Sequence, residues 1–291
     1  MIDIQTKIAT GKFAMLAQKV NDRPLNFEKK LFIQPKLDGV RCIISKDGAF
    51  SRNGKEFKNV DHIIEEFKPV FEYAPELVFD GELYNHDLKN DFNKIISLVR
   101  KSVKISESDR DEARELVQFH CYDVVDEKRP YLTYDERNNL IHHVVDYKYE
   151  MLYTRHVDAL VITGQQQLDK LHSNNKEDGY EGSMIRYNTP YENKRSWSLQ
   201  KVKDWSDTEF TITGFVQGKG KFEGGLGKFL GVDGDGLEIE VPWPTMTIAN
   251  RKAVWQNKNF YIGKVATFEY FERTPGGAYR FPRFKALRNY E

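Results

Sequence analysis

The sequence predicts a mixed α+β chain that ends in a small β-barrel of the OB type. Three observations carry this. Apolar residues at helical spacing recur between short strand-like runs, without the regular alternation of β-α-β units. The turn signal Lys46-Asp47-Gly48 joins two such runs, which is an antiparallel device. Beyond Asp204-Trp205-Ser206-Asp207 the texture changes to several short strands, much glycine and one helix. The expected boundary lies near 205, with domains at 1–205 and 206–291.

In order, Phe13 to Ala17 reads as a short buried segment. Leu31-Phe32-Ile33 and Val40 to Ile44 read as strands, and Ala49 to Arg52 as the hairpin partner of the second. Val60, Ile63, Ile64, Phe67 and Phe71 recur at helical spacing. Leu77 to Leu83 is a compact strand, and Phe92, Ile95, Ile96 and Val99 mark another helix. Leu116 to Asp123 is strand-like. Thr133-x-x-Glu136 is a capping box opening a helix with Leu140, Ile141 and Val144. A helix over Thr163 to His172 and strands at Ser183–Tyr187 and Ser198–Lys203 complete the first part. In the second, Thr208–Gln217 reads as a strand, followed by a glycine-rich loop from Gly218 to Gly236. Leu237–Val241, Lys264–Arg273 and Phe284–Leu287 read as strands, and Thr245–Asn257 as a helix.

The 291 residues carry 44 basic and 44 acidic side chains, so a polyanion partner needs a segregated basic surface. No apolar run reaches about 18 residues, which predicts no membrane span. Met1 to Gln5 lacks the basic start and apolar core of a signal peptide, and the expectation is a cytoplasmic protein. Cys42 and Cys121 lie in apolar runs and read as small buried hydrophobes in a reducing compartment.

Chemistry concentrates first in Gln34-Pro35-Lys36-Leu37-Asp38-Gly39-Val40-Arg41. Lys36 is expected in the turn between two strands. Its amine suits a nucleophile, Gly39 lets backbone approach a ligand, and Arg41 can hold an oxygen or phosphate. A solvated hairpin turn would look the same. Asp80 and Glu82 share one face of a strand and suit a cation, sugar hydroxyls or an exposed edge. Lys201 and Lys203 share a face too, as a phosphate clamp or a solvated strand. Glu181 sits in a turn-rich segment before Gly182, able to reach a metal or to be a polar turn.

Each signal alone is weak; their order is specific. Lys36-x-Asp38-Gly39-x-Arg41, Ser51-Arg52, Asp80-Gly81-Glu82, Tyr122-Asp123, Glu181-Gly182 continuing to Arg186, Lys201-x-Lys203, and Arg280-Phe281-Pro282-Arg283-Phe284 with Arg288 follow one another along the chain. In these seven motifs the chain resembles the ATP-dependent DNA ligases of the covalent nucleotidyltransferase superfamily, above all the small two-domain ligases of viruses and bacteriophages. The resemblance runs from about residue 14 to the end.

The resemblance implies an adenylation domain followed by an OB domain, using ATP and Mg²⁺ or Mn²⁺ on nicked double-stranded DNA, as a monomer away from membranes. It implies that Lys36 attacks the α-phosphate, that AMP passes to the 5′-phosphate of the nick, and that the 3′-hydroxyl displaces it. A free lysine is neutral about once in 2,500 molecules at pH 7. Lys201, Lys203 and the metal are therefore expected to favour the neutral amine of Lys36 and to offset phosphate charge. By the same resemblance, Tyr122 stacks on adenine, Gln34 reads its edge, and Arg41 and Glu82 hold the ribose. Asp38, Gly39 and Arg186 complete the nucleotide-binding set. Glu181 and Asp80 hold the metal, Ser51 and Arg52 the 5′-phosphate, and Arg280 and Arg288 the pyrophosphate. A hinge is expected near Asp204–Asp207. The alternatives are an RNA ligase or capping guanylyltransferase of the same superfamily, and a non-catalytic OB protein that only binds nucleic acid.

Overall fold

The computed structural model describes residues 4–20, 23–89, 91–202, 206–270, 273–274 and 276–288. The chain forms two compact units, Met1–Val202 and Lys203–Glu291.

The first unit holds two five-stranded sheets. One is built from β1 (Leu16–Lys19), β2 (Leu31–Lys36), β8 (Leu160–Ile162), β9 (Gly182–Tyr187) and β10 (Arg195–Val202), in the order β1-β10-β9-β2-β8. The other contains β3 (Val40–Ser45), β4 (Gly48–Ser51), β5 (Leu77–Tyr84), β6 (Gln118–Asp126) and β7 (Thr154–His156), in the order β4-β3-β5-β6-β7. Most neighbours are antiparallel, as the sequence led one to expect. The pairs β1–β10 and β6–β7 are parallel, which the turn signals do not encode.

Lys36 does not sit in a hairpin turn. It is the last residue of β2, paired with Gly182 of β9. β2 and β3 belong to different sheets, so residues 37–39 carry the chain from one sheet to the other. A solvated hairpin is thereby removed as an explanation of the motif.

Helices cover the second sheet. α2 (Asp61–Tyr73) buries Ile63, Phe67 and Val70, and α3 (Phe92–Val99) buries Ile95, Leu98 and Val99. The Phe67 ring lies 4.8 Å from Phe79 of β5 and 5.8 Å from Phe119 of β6. Removing such a ring costs about 3–5 kcal/mol. α4 (Glu107–Leu116) has no clear apolar stripe and buries Ala113; its signal is the Ser106–Asp109 capping box. The Thr133–Glu136 box opens α5 (Tyr134–His142), with the Thr133 N–H donating to Glu136 at 2.8 Å. A π-helical turn follows at His143–Lys148. α6 (Gln165–Glu177) packs Leu168 against Leu31, Ile33, Ile162 and Ile185 of the first sheet. α1 (Ile4–Ala9) adds Ile8 to a small cluster with Phe13 and Ile43. Cys42 and Cys121 are free thiols within the main core.

The second unit is an antiparallel sheet of β11 (Ser206–Gln217), β12 (Leu226–Asp233), β13 (Glu238–Pro242), β14 (Val265–Tyr270) and β15 (Arg283–Leu287), in the order β13-β12-β11-β14-β15. Its edge strands β13 and β15 approach each other, so the sheet curls towards closure. α7 (Ile248–Gln256) and the short α8 (Lys258–Tyr261) complete it. Phe229 is its centre, 4.9 Å from Phe284 and 6.3 Å from Trp243.

The glycine-rich loop expected over Gly218–Gly236 is a loop only at its ends. β12 runs through it, and Lys228 on that strand ion-pairs with Glu240 of β13 at 2.6 Å. The alternation Leu226, Phe229, Gly231 is broken by glycines, which hid the strand.

Candidate active site

A cavity of about 250 Å³ opens in the first unit, lined from both sheets. β2 contributes Gln34, Pro35 and Lys36, and β3 contributes Arg41. Glu82 comes from β5 and Tyr122 from β6. Met184 and Arg186 come from β9, and Arg195, Leu199 and Lys201 from β10. Six cationic side chains (Lys36, Arg41, Arg52, Arg186, Arg195 and Lys201) line it beside the one carboxylate of Glu82. The neutral chain thus concentrates positive charge in one recess, the arrangement a polyphosphate requires.

Lys36 is placed by β-pairing. Its carbonyl accepts the Glu181 N–H at 3.0 Å, and its Nζ is in ionic contact with the Glu181 carboxylate. Gly182 follows at φ +151°, and a Cβ there would meet the Val202 carbonyl at 2.4 Å. Glycine therefore lets β10 close on β9 and bring Lys201 to the same recess. Lys201 lies opposite Met184 of β9 and Lys19 of β1. Burial, and then the charge of Lys36, hold its ammonium below the usual lysine range.

Gly39 has a packing task that its motif does not announce. A Cβ there would lie 2.5 Å from the Leu83 carbonyl and 2.6 Å from Glu82 Cγ. The glycine admits β5. That contact fixes Glu82 beside the crossing segment. Burial raises the Glu82 carboxyl to about 7, against the opposing pull of Lys36 and Arg41. Tyr122 Oη donates to Glu82 at 3.3 Å.

The β5–β6 register slips at Gly81, which pairs with Cys121 while Asp80 pairs with Asp123. Tyr122 is the extra residue of that bulge. It turns towards the cavity while Cys121 and Val124 stay in the core. Arg186 lies 5.4 Å from its ring and Arg41 5.9 Å.

Asp80, expected as a metal ligand, is fully buried and does not line the cavity. Its carboxylate accepts Arg41 Nε at 2.8 Å, a second Arg41 nitrogen, and Tyr191 Oη at 2.7 Å. With both oxygens engaged, Asp80 holds Arg41 in place and has no open position for a cation. Arg41 also donates to the Met15 carbonyl at 2.7 Å. Gln34 is likewise engaged, accepting Arg186 Nε at 2.7 Å and donating to the Val157 carbonyl at 2.8 Å.

Behind the cavity, Asp123 accepts Arg186 Nη1 at 2.6 Å and Arg137 Nε at 2.7 Å. Burial alone would raise that carboxyl; the two guanidiniums outweigh it and hold it below the usual range. Arg137 and Tyr191 carry no motif and are missed by sequence reasoning. Arg195 had a signal, since it lies six residues before Lys201 on one strand face.

Arg52 is exposed and lines the rim. Ser51 ends β4, with its Oγ accepting the Lys55 N–H at 3.0 Å. Asp38 lies in the crossing segment. Lys203, the second lysine of its pair, and Asp204 and Trp205 of the expected hinge lie outside the described residues. Arg280 and Arg288 belong to the second unit. Arg280 lies 5.7 Å from the Phe281 ring, and Arg288 Nε donates to Glu209 at 2.7 Å.

The chain matches known families. The family described as ATP dependent DNA ligase domain matches residues 14–203, and that described as DNA ligase OB-like domain matches residues 217–288. The chain is similar to the DNA ligase of African swine fever virus (isolate Pig/Kenya/KEN-50/1950). The two are 26% identical over 284 residues, 90% of this chain and 64% of the viral protein. It thus spans just under two thirds of that relative. The DNA ligase of Haemophilus influenzae is 26% identical over 219 residues, 73% of this chain and 71% of that one. A solved Lig E DNA ligase shares the fold at a TM-score of 0.77, with 22% identity over 94% of this chain and 98% of that chain. The bacteriophage T7 ATP-dependent DNA ligase does so at 0.54, with 17% identity over 97% and 100%.

Proposed function

The chain belongs to the ATP-dependent DNA ligase family, and from that premise we propose that it seals 3′-hydroxyl/5′-phosphate nicks in duplex DNA through an adenylate on Lys36. The observation that carries this is the position of Lys36, whose amine enters a cationic recess floored by Tyr122 and is held by Glu181. The amine attacks the α-phosphorus of ATP. An N–P bond forms, the bond to the bridging oxygen breaks, and pyrophosphate leaves. Lys201, Arg195 and Arg52 meet the phosphates with charges already in place, which lowers the barrier without reorganisation. Tyr122 takes the adenine face and Glu82 with Arg41 the ribose. Gln34 and Arg186, locked to each other, set the inner wall of the nucleotide subsite.

AMP then moves to the 5′-phosphate of the nick, gripped by Ser51 and Arg52. The 3′-hydroxyl displaces it and AMP departs. Lys203 is assigned with Lys201 to these steps, and Arg280 and Arg288 to the pyrophosphate of the first. The donor set fits a hard divalent cation such as Mg²⁺ or Mn²⁺, which Glu181 would hold and which would neutralise phosphate charge. Asp80 does not fit that role. We assign the catalytic domain to 1–205 and the OB domain to 206–291. The working form is a monomer in the cytoplasm, in keeping with two free buried thiols. No described helix is long and apolar enough to cross a membrane.

The test is incubation with labelled ATP or GTP, then a nicked duplex. ATP should label the chain and the nick should close. A label from GTP alone would indicate capping chemistry, and no label would indicate a binding protein.

A further inference from the structure

Away from the cavity, His142, Asp146 and His156 converge, with one ligand atom from each within 4.8 Å of the others. They come from three places: the end of α5, the π-helical turn after it, and the end of β7. π-Helical turns are rare and concentrate at functional sites. We propose that these three residues bind a divalent metal of the zinc class.

His156 Nε2 lies 3.0 Å from Asn138 Oδ1, an oxygen that also accepts Tyr134 Oη at 3.5 Å. An amide oxygen only accepts, so Nε2 carries a proton. The other ring nitrogen, Nδ1, lies 3.2 Å from Asp146 Oδ2 and 3.8 Å from Asp158 Oδ1. His142 Nδ1 points at the same Asp146 oxygen. One carboxylate oxygen thus collects two imidazoles, and the His156 side chain is only 5% exposed. A dication with two neutral imidazoles and the nearby carboxylates balances charge at this point.

The donor set favours the borderline-soft metals. Imidazole nitrogens with a carboxylate suit Zn²⁺, whereas Mg²⁺ prefers oxygen alone. Ligands about 2.0–2.1 Å from a tetrahedral zinc stand about 3.3 Å apart. The 3.2 Å between His156 Nδ1 and Asp146 Oδ2 is one edge of that length, and all three ligand atoms lie within 4.8 Å of one another. Asn138 supplies the orienting hydrogen bond that metal-bound histidines normally make through the other nitrogen. Asp158 is 91% exposed and able to swing in as fourth ligand, with water as the alternative. The metal would be structural. It would tie β7 to the helical segment, and Val157, the next residue, holds Gln34 in the cavity wall.

The test uses the full chain, stripped with a chelator and titrated with ZnCl₂ by calorimetry, with CoCl₂ as a spectroscopic probe. The expected result is one zinc per chain, unaffected by excess Mg²⁺, a visible cobalt band of tetrahedral type, and a raised melting temperature. His142→Gln and Asp146→Asn change exposed residues and should abolish all three while the circular dichroism stays native. Asn138→Leu should weaken binding about 10–100-fold. His143→Gln, the exposed neighbour outside the cluster, should bind like the parent chain. Absence of zinc binding by the parent chain, or equal binding by His142→Gln and Asp146→Asn, would overturn the proposal.

Discussion

Glu82→Gln is the perturbation whose effect follows most directly from the cavity. Glu82 titrates near 7 in the folded chain, against an ordinary 4.5, because burial disfavours its charge. In the folded state the proton is held more tightly than in the unfolded state. Between 4.5 and 7 the unfolded chain binds fewer protons, so stability falls as pH rises through that window. The stability tied to this proton is complete below 4.5 and gone above 7. At about 1.4 kcal/mol per pH unit, the full shift corresponds to about 3 kcal/mol. Glu82 is half-buried in the cavity wall, and solvent screening there reduces the effect to about 1 kcal/mol. Glutamine keeps the shape and has no charge to bury. The variant should therefore gain on the parent chain as pH rises, by about 2–4 °C in melting temperature between pH 5 and 8. The readout is the pH dependence of the difference, so a constant offset from the Tyr122 hydrogen bond cancels. Scanning calorimetry of both proteins without nucleotide gives the answer. A difference that stays flat, or shrinks with pH, would refute the buried-carboxylate reasoning.

Three further outcomes are expected. Tyr122→Phe should leave ATP use nearly unchanged, whereas Tyr122→Ala should raise KM for ATP about 5–150-fold, as a lost stacking contact requires; this is checked by the kinetics of adenylate formation. Arg137→Met leaves Asp123 buried with one of its two cationic partners, and urea denaturation should show a loss of about 3–5 kcal/mol. Arg280→Ala or Arg288→Ala should abolish formation of the Lys36 adenylate but spare sealing of a nick that already carries AMP. Equal loss of both half-reactions would exclude a role confined to pyrophosphate.

Much of the cavity was legible in the sequence, because its parts sit on short strands that carry the motif residues. Lys36, Glu82, Tyr122, Arg186 and Lys201 all reach one recess. What the sequence concealed were the reasons. Asp80 and Glu82 share a strand face as their spacing says, yet one is fully buried under Arg41 and the other faces the cavity. Local periodicity cannot tell a buried ion pair from an open carboxylate. Gly39 also admits backbone from far along the chain, at Leu83, which no local signal marks. Arg137 and Tyr191 reach Asp123 and Asp80 only through tertiary packing, so no short motif marks them. In the second unit, glycines at 224, 225, 227 and 231 overrode the strand signal of β12. The wide spacing of His142, Asp146 and His156 likewise falls outside any short metal motif, because a π-helical turn and a strand bring them together.

One covalent bond, from Lys36 Nζ to the α-phosphorus of ATP, is the step on which nick sealing depends. The parent chain and Lys36→Ala should be incubated with ATP, digested and mapped by mass spectrometry, and then offered a nicked duplex. A single adenylyl group is expected on the Lys36 peptide of the parent chain, lost when the nick is sealed, and none on the variant. An adenylyl group on another residue, or a nick sealed by Lys36→Ala at the parent rate, would contradict that expectation.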